Sequence, residues 1–339
     1  MSWPTLDLPL LPPFPPMEAR LVHAVPVGDA WSYEPKWDGF RCLAFKDDAK
    51  VALQSKSGQP LARYFPEVVD TVSRAEPPRL VLDGELVIPA EGGYAFEPLL
   101  QRIHPAASRV ARLAAETPAR LLAFDLLVAP DGRLLTGEPL EARRTELARI
   151  APALASAGLE LTSTTRDRSE AERWLAGAVR GIDGVIAKRL DAAYASGERA
   201  MQKVKRLRTV DCVVGGLRWA TGRERGVGSL LLGLYDDTGL LQYVGHAASF
   251  DARTRAELAD AFEPIVAASG PGGFTGDAPG GPSRWARERS TEWVPVRPEC
   301  VVEVEVHHAS GGRFRHGTRL VRFRPDKDPR SCTMEQLEG

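Results

Sequence analysis

Three Asp-Gly pairs constrain the fold of this chain more than any other feature. Asp38-Gly39, Asp83-Gly84 and Asp183-Gly184 each open, or lie within, a run of apolar residues. A carboxylate among apolar neighbours must face out or find a buried partner. A generic core does not repeat that arrangement, so the strands carrying these pairs are candidates for building a site.

The first pair lies in Glu34-Pro35-Lys36-Trp37-Asp38-Gly39-Phe40-Arg41. Gly39 lets the backbone turn tightly and approach a ligand. From these residues alone, Lys36 is either a solvated lysine beside a hairpin turn or a nucleophile. The second role needs an unprotonated amine, and a free lysine titrates near 10.4. Neighbouring cations or burial must lower that value. Arg41 stands close enough in sequence to supply charge. Asp38 would act in the opposite sense, so it is expected to face a ribose or a metal.

The surrounding pattern predicts an α+β chain. Gly39–Lys46 alternates, Asp47-Asp48 turns, and Val51–Gln54 follows as a second strand. Ser55-Lys56-Ser57-Gly58 ends it, either as a phosphate or ribose contact or as a plain hairpin end. Leu80–Ile88 and Leu121–Val128 are apolar strands, each interrupted by acid, and Glu85 read alone is an exposed carboxylate. Helical spacing marks Phe65–Ala75, Ser108–Glu116, Glu141–Ala155 and 169–179, with Ser169 and Glu172 as a capping box. The proline-rich lead is expected to lie extended on the surface, with its first ten residues equally open to disorder.

Between Lys188 and Arg208 stand seven basic residues against two acids. Lys203 and Lys205 share one face if they lie on a strand. Such a run is either a solvated basic face or a pair aimed at one anion. After Arg208 the pattern shifts to short strands with one helix, Asp251–Ala268, and a Gly/Pro-rich loop at 269–283. A small barrel of OB or SH3-like type fits this pattern. Domains are therefore placed at 1–207 and 208–339, and 339 residues at 43% hydrophobic content suffice for two cores. Between Arg313 and Arg330, basic residues interleave with Phe314 and Phe323, as for a phosphate backbone or a nucleotide.

A net charge of −1 supplies no global basic field, so a nucleic-acid partner must be held by local patches. The four cysteines are scattered without C-x-x-C spacing, which argues against a zinc module and suits a reducing cytoplasm. No apolar run reaches the about 18 residues of a membrane helix.

Together these segments resemble the covalent nucleotidyltransferases: ATP-dependent DNA ligases, RNA ligases and mRNA-capping guanylyltransferases. The likeness spans residues 31–327 in order. It implies a mixed or antiparallel-sheet nucleotidyltransferase domain followed by a small OB-fold β-barrel. Lys36 matches the lysine that becomes adenylylated, with Glu34 and Arg41 beside it. Lys56 stands where arginine is more usual. Glu85 matches the glutamate by the ribose and metal, and Phe124 the aromatic that stacks on the base. Asp183-Gly184 with Lys188 resembles the fourth motif, where glutamate usually replaces Asp183. Lys203 and Lys205 match lysines at the α-phosphate; Arg324, Asp326 and Lys327 match the motif that orients pyrophosphate. Lys36, Arg41, Lys203, Lys205, Arg324, Asp326 and Lys327 are thus the implied catalytic set, and Asp38, Glu85 and Asp183 the implied metal set.

The nearest likeness is to minimal actinobacterial-type ATP-dependent DNA ligases, with no room for a clamping helical domain before Lys36. It implies ATP and Mg²⁺ or Mn²⁺, nicked double-stranded DNA as partner, and a cytoplasmic, nucleoid-associated monomer in DNA repair. A repair polymerase or an end-binding protein is a further candidate partner. An RNA ligase, a GTP-using capping enzyme and a non-catalytic OB-type binding protein are the alternatives.

Overall fold

The computed structural model describes residues 3–103, 106–177, 179–206, 208–220, 226–266, 272–280, 292–306, 309–314 and 317–337. The chain divides into two compact units, Met1–Arg206 and Leu207–Gly339.

The first unit carries two sheets. Its strands are β1 (Ala19–Leu21), β2 (Trp31–Trp37), β3 (Phe40–Asp47), β4 (Lys50–Ser55), β5 (Arg79–Ala90), β6 (Gly93–Ala95), β7 (Arg120–Val128), β8 (Glu160–Leu161), β9 (Ile182–Arg189) and β10 (Met201–Lys205). One sheet runs β4-β3-β5-β7-β8, with β6 on β5; the other runs β1-β10-β9-β2. Only β1–β10 and β7–β8 pair in parallel among these, so the unit is mixed but mostly antiparallel. Helices α1 (Pro66–Arg74), α2 (Glu97–Arg102), α3 (Ala107–Glu116), α4 (Leu140–Ala157) and α5 (Arg168–Leu175) complete it.

The near-continuous apolar runs follow from burial of both sheet faces. Along β3, Cys42 and Ala44 enter one core with Leu80 and Leu82, while Leu43 and Phe45 enter a second with Val81. Residues two apart share a strand face, so each face feeds its own core. The second core is closed by the N-terminal arm. Leu6, Leu8 and Leu10, each 8% exposed, recur every second residue as an extended segment requires. The arm is therefore extended, as expected, but it is core and not surface decoration.

Other differences are local. Asp167, not Ser169, caps α5: its Oδ1 accepts from the Ser169 amide at 2.8 Å. Asp125 in β7 is buried because Arg143 on α4 meets it at 2.8 Å through both Nε and Nη2.

In the second unit, β11 (Arg208–Trp219), β12 (Val227–Tyr235), β13 (Leu241–Ala248), β14 (Val294–Pro295), β15 (Val301–Val306), β16 (Ala309–Ser310), β17 (Arg313–Phe314) and β18 (Arg319–Phe323) surround one core. The main row is β13-β12-β11-β15-β18. A parallel bridge from Ala247 to Thr318 brings the two ends of that row together. Five strands closing in this way are the OB arrangement.

Helix α6 spans Ala252–Phe262, and a tighter turn at Glu263–Ile265 ends it, earlier than the spacing predicts. Residues 267–268 lie outside the described residues, as do 269–271 and 281–283 of the Gly/Pro-rich loop. The described part, 272–280, is not free: Tyr243 donates to the Asp277 carbonyl and Gly273 to the Val296 carbonyl, both at 2.9 Å. Phe314 is buried against Gly245 and cannot serve a nucleic-acid backbone, whereas Phe323 is exposed. Arg315 lies outside the described residues.

Candidate active site

Lys36 sits where the chain leaves one sheet of the first unit and enters the other. β2 ends at Trp37, the Asp38-Gly39 turn follows, and β3 begins at Phe40. Only glycine fits the turn, because a Cβ at residue 39 would lie 2.3 Å from the Leu86 carbonyl oxygen. β2 pairs with β9 so that Lys36 faces Gly184; β3 pairs with β5 so that Arg41 faces Glu85. The register thus delivers the acids of all three Asp-Gly segments to the lysine.

A cavity of about 260 Å³ opens over this junction. Its walls include Glu34, Lys36, Arg41, Lys56, Glu85, Phe124, Lys188 and Lys203, eight of the implied nucleotide-site residues. Lys205 closes the same strand opposite Gly184 and adds to the positive field at Lys203. Burial holds the Lys203 ammonium below its ordinary pKa, and Lys36, Lys205 and Lys56 push it the same way. A cluster of mutually repelling ammoniums is stabilised by an anion placed among them.

Two expected roles change in the structure. Lys36 Nζ lies 2.6 Å from Asp183 Oδ2. Burial alone would lower its pKa, but Asp183, with Glu85 and Asp38 behind it, raises it above the ordinary value. The resting lysine is therefore protonated, opposite to the depression that nearby cations would give. Arg41 does not present a free charge either. Its Nε and Nη2 bind the two oxygens of buried Asp83 at 2.5 and 2.6 Å, and its guanidinium lies 4.5 Å over the Phe124 ring. In this structure the Arg41 charge is taken up by Asp83, and its guanidinium lies beside Phe124.

Glu85 is half-buried and lines the cavity, so its reading as an exposed carboxylate is corrected. Burial pushes its pKa up to about 7, against the pull of Arg41 and Lys36. Glu34 and Lys188 form a buried pair at 2.7 Å, each 3% exposed, and Lys188 Nζ lies 4.3 Å over the other cation's platform, Phe124. The second oxygen of Glu34, Oε1, is buried with no hydrogen-bond partner among the described residues. A buried acceptor of that kind asks a ligand for a donor. Lys56 is engaged by Glu18 at 2.9 Å across the cavity mouth.

The carboxylates around Lys36 can be tested against a divalent cation. Among the described residues no three His, Cys, Asp or Glu side chains form a ready cage. Glu85, Asp183 and Asp38 all act electrostatically on Lys36, and Glu85 is held in a burial that disfavours its charge. This donor set suits a hard cation that keeps water and phosphate oxygens as ligands, the usual habit of Mg²⁺.

In the second unit, Arg324, Asp326 and Lys327 gather around a residue that sequence reasoning missed, Asp211. Arg324 Nη1 meets Asp211 at 3.0 Å, its Nη2 meets Asp326 at 2.8 Å, and Lys327 Nζ meets Asp211 at 3.2 Å. The Arg324 side-chain bonds hold Asp326 down to about 2. Tyr194 was likewise missed: its hydroxyl donates to Asp83 Oδ2 at 2.6 Å. An acid within a strand and a tyrosine in a loop carry no local signal; both are placed by contacts across more than a hundred residues.

Comparison with known proteins accords with this geometry. The ATP dependent DNA ligase domain model matches residues 16–205, and the ATP dependent DNA ligase C terminal region model matches residues 223–327. The chain is 46% identical to DNA ligase C2 of Mycolicibacterium smegmatis, over 98% of this chain and 97% of that one. It is 43% identical to DNA ligase C of Mycobacterium tuberculosis, over 98% and 96%. A solved structure of mycobacterial DNA ligase D complexed with ATP and MES is 29% identical and covers 94% of this chain and 98% of that one, with a TM-score of 0.50.

Proposed function

The chain belongs to the ATP-dependent DNA ligases, and on that premise we propose that Lys36 is the residue that takes AMP, within a nucleotidyltransferase domain formed by the first unit. The observation that carries this assignment is the placement of Lys36 Nζ, at 2.6 Å from Asp183, in the cavity shared with Glu85, Phe124 and Lys203.

The enzyme performs three phosphoryl transfers. Lys36 Nζ attacks the α-phosphorus of ATP, forming an N–P bond as the bond to pyrophosphate breaks. The 5′-phosphate of a nick then attacks the lysyl-AMP phosphorus and frees the lysine. Last, the 3′-hydroxyl attacks the activated 5′-phosphate, the phosphodiester forms and AMP leaves. Such transfers ask a protein mainly for alignment and charge.

Each residue of the cavity has a part in that. Asp183 holds the proton on Lys36 in the resting state. Once the carboxylate is drawn off the lysine, burial and Lys203 act in the direction that frees the amine. Lys203 and Lys205 carry the charge of the α-phosphate. Phe124, with the Arg41 guanidinium 4.5 Å and Lys188 Nζ 4.3 Å from its ring centroid, is the platform for adenine. Glu34 Oε1 accepts from the exocyclic amine of adenine, which guanine replaces with a carbonyl; this favours ATP over GTP. Glu85, Asp183 and Asp38 would hold Mg²⁺, which would neutralise developing phosphate charge when bound. Arg324, Asp326 and Lys327 orient pyrophosphate from the OB domain.

We place the enzyme in DNA repair as a cytoplasmic, nucleoid-associated monomer acting on nicked duplex. A repair polymerase or an end-binding protein is the kind of partner that would deliver the substrate. Among the described residues no helix is long and apolar enough to cross a membrane, and the cysteines are free thiols, as a reducing compartment requires.

The test is incubation with Mg²⁺ and ATP labelled at the α-phosphate. Wild type takes a covalent label on a denaturing gel and Lys36→Ala takes none. Labelling from GTP instead of ATP, or equal labelling of the variant, would overturn the assignment.

A further inference from the structure

The cavity over Lys36 has a wall that no sequence motif announced. Pro16, Met17, Glu18 and Ala19 of the N-terminal arm line it directly. A buried extended segment must place its own N–H and C=O groups somewhere, and the partners here are specific. The Met17 amide donates to the Tyr194 hydroxyl at 3.0 Å. The Met17 carbonyl accepts from Arg41 Nη2 at 3.3 Å. Tyr194 and Arg41 in turn converge on one fully buried carboxylate, Asp83.

The rest of the arm is tied along its length. Gln54 exchanges two hydrogen bonds with the backbone of Phe14, at 2.8 and 2.7 Å. Ser196 donates to the Pro15 carbonyl at 2.7 Å, and Glu18 donates to the Glu198 carbonyl at 2.7 Å. At the mouth, Glu18 faces Lys56. Arg41 bonded to Met17 is the same Arg41 that lies over Phe124, so arm and platform share one support.

We propose that Pro16–Ala19 is a built wall of the nucleotide pocket and that Tyr194 is the positioning residue that seats it. This rests on the assignment of that cavity to ATP. Tyr194 itself is buried and does not line the cavity, so it acts through Met17 and Asp83. Its ring stacks with Phe14 at 6.2 Å and lies under Arg143 at 5.6 Å. Tyr194→Phe keeps that packing and removes only the hydroxyl, leaving the Met17 amide without its acceptor and Asp83 with one donor fewer.

The experiment separates two steps of the cycle. One arm is the ATP dependence of Lys36 labelling. The other is sealing of a nicked duplex by protein adenylylated beforehand, in which the covalent bond already holds AMP. Tyr194→Phe raises the apparent KM for ATP about tenfold, about 1.4 kcal/mol, with the maximal labelling rate and the sealing rate each within about twofold of wild type. An unchanged KM, or an equal fall in both steps, would overturn the proposal, since general structural damage does not select one step.

A second measurement needs no variant. Hydrogen exchange of the segment 14–20 in wild-type protein slows when lysyl-AMP forms; equal exchange in the two states would also overturn it. A wild type that takes no label at all refutes the Lys36 assignment and the wall with it. A wild type that labels, beside a Tyr194→Phe protein with an unaltered KM, refutes the wall alone.

Discussion

Replacing Lys188 by methionine exposes how the adenine end of the pocket is held. Lys188 and Glu34 are each 3% exposed and meet at 2.7 Å. Methionine preserves the length of the side chain and its packing on Phe124 but removes the charge. The Glu34 carboxylate is then buried without its counter-charge, and its Oε1 already has no hydrogen bond among the described residues. Removing one member of a buried pair costs about 3–5 kcal/mol, and loss of the cation over Phe124 adds roughly 0.5–2 kcal/mol. Against a typical stability of about 5–15 kcal/mol, that is a large fraction. The double variant Glu34→Gln, Lys188→Met removes the orphaned charge and recovers at least about 2 kcal/mol of the loss. The assay is native-state hydrogen exchange of the β2 and β9 amides across a urea series, which reads this sheet and not the second unit. A cost below about 1 kcal/mol for Lys188→Met, or simple additivity of the two changes, would show that the pair is solvated and the reasoning wrong.

Asp183→Asn removes the charge that raises the Lys36 pKa and so lowers that pKa; the pH midpoint for acylation of the Lys36 amine moves down, and an unmoved midpoint refutes the ion pair's role. Glu85 has a folded pKa of about 7 against an ordinary 4.5, so the native state holds its proton longer than the unfolded chain does. Stability is therefore lost as pH rises from 4.5 toward about 7, by up to about 3 kcal/mol. Glu85→Gln flattens that slope in unfolding curves taken across the window, and an unaltered slope contradicts the burial argument. Asp326→Ala and Lys327→Ala slow lysyl-AMP formation while sealing by pre-adenylylated protein continues; normal first-step rates in both would remove the OB-domain residues from pyrophosphate orientation.

Much of the site is legible in the sequence because its residues stand on regular strands. Lys36, Glu85, Phe124, Asp183 and Lys203 lie at fixed offsets from Asp-Gly turns and apolar runs, and the sheet register converts those offsets into proximity. The electrostatics are not legible in the same way. Sequence proximity assigns Arg41 to the lysine, yet its charge is taken up by Asp83, forty-two positions along the chain. The acid that governs Lys36 arrives from 147 positions away. The arm misleads for a related reason. Its prolines correctly forbid helix, but Leu6, Leu8 and Leu10 show their burial only once Leu43, Phe45 and Val81 are known to offer a second apolar face. Asp211 and Tyr194 carry no pattern at all, since a single polar residue acquires meaning from partners on other strands.

The Lys36–Asp183 ion pair has a consequence for inhibitor chemistry. An electrophilic warhead aimed at this lysine meets an ammonium, not an amine, as long as Asp183 stays within 2.6 Å of it. Raising warhead reactivity does not remove that obstacle, because the limiting quantity is the fraction of lysine that has lost its proton. A scaffold that carries its own cationic group to Asp183 would strip the counter-charge and free the nucleophile in one binding event. Selectivity would then come from recognising the acid, with the covalent bond following from it.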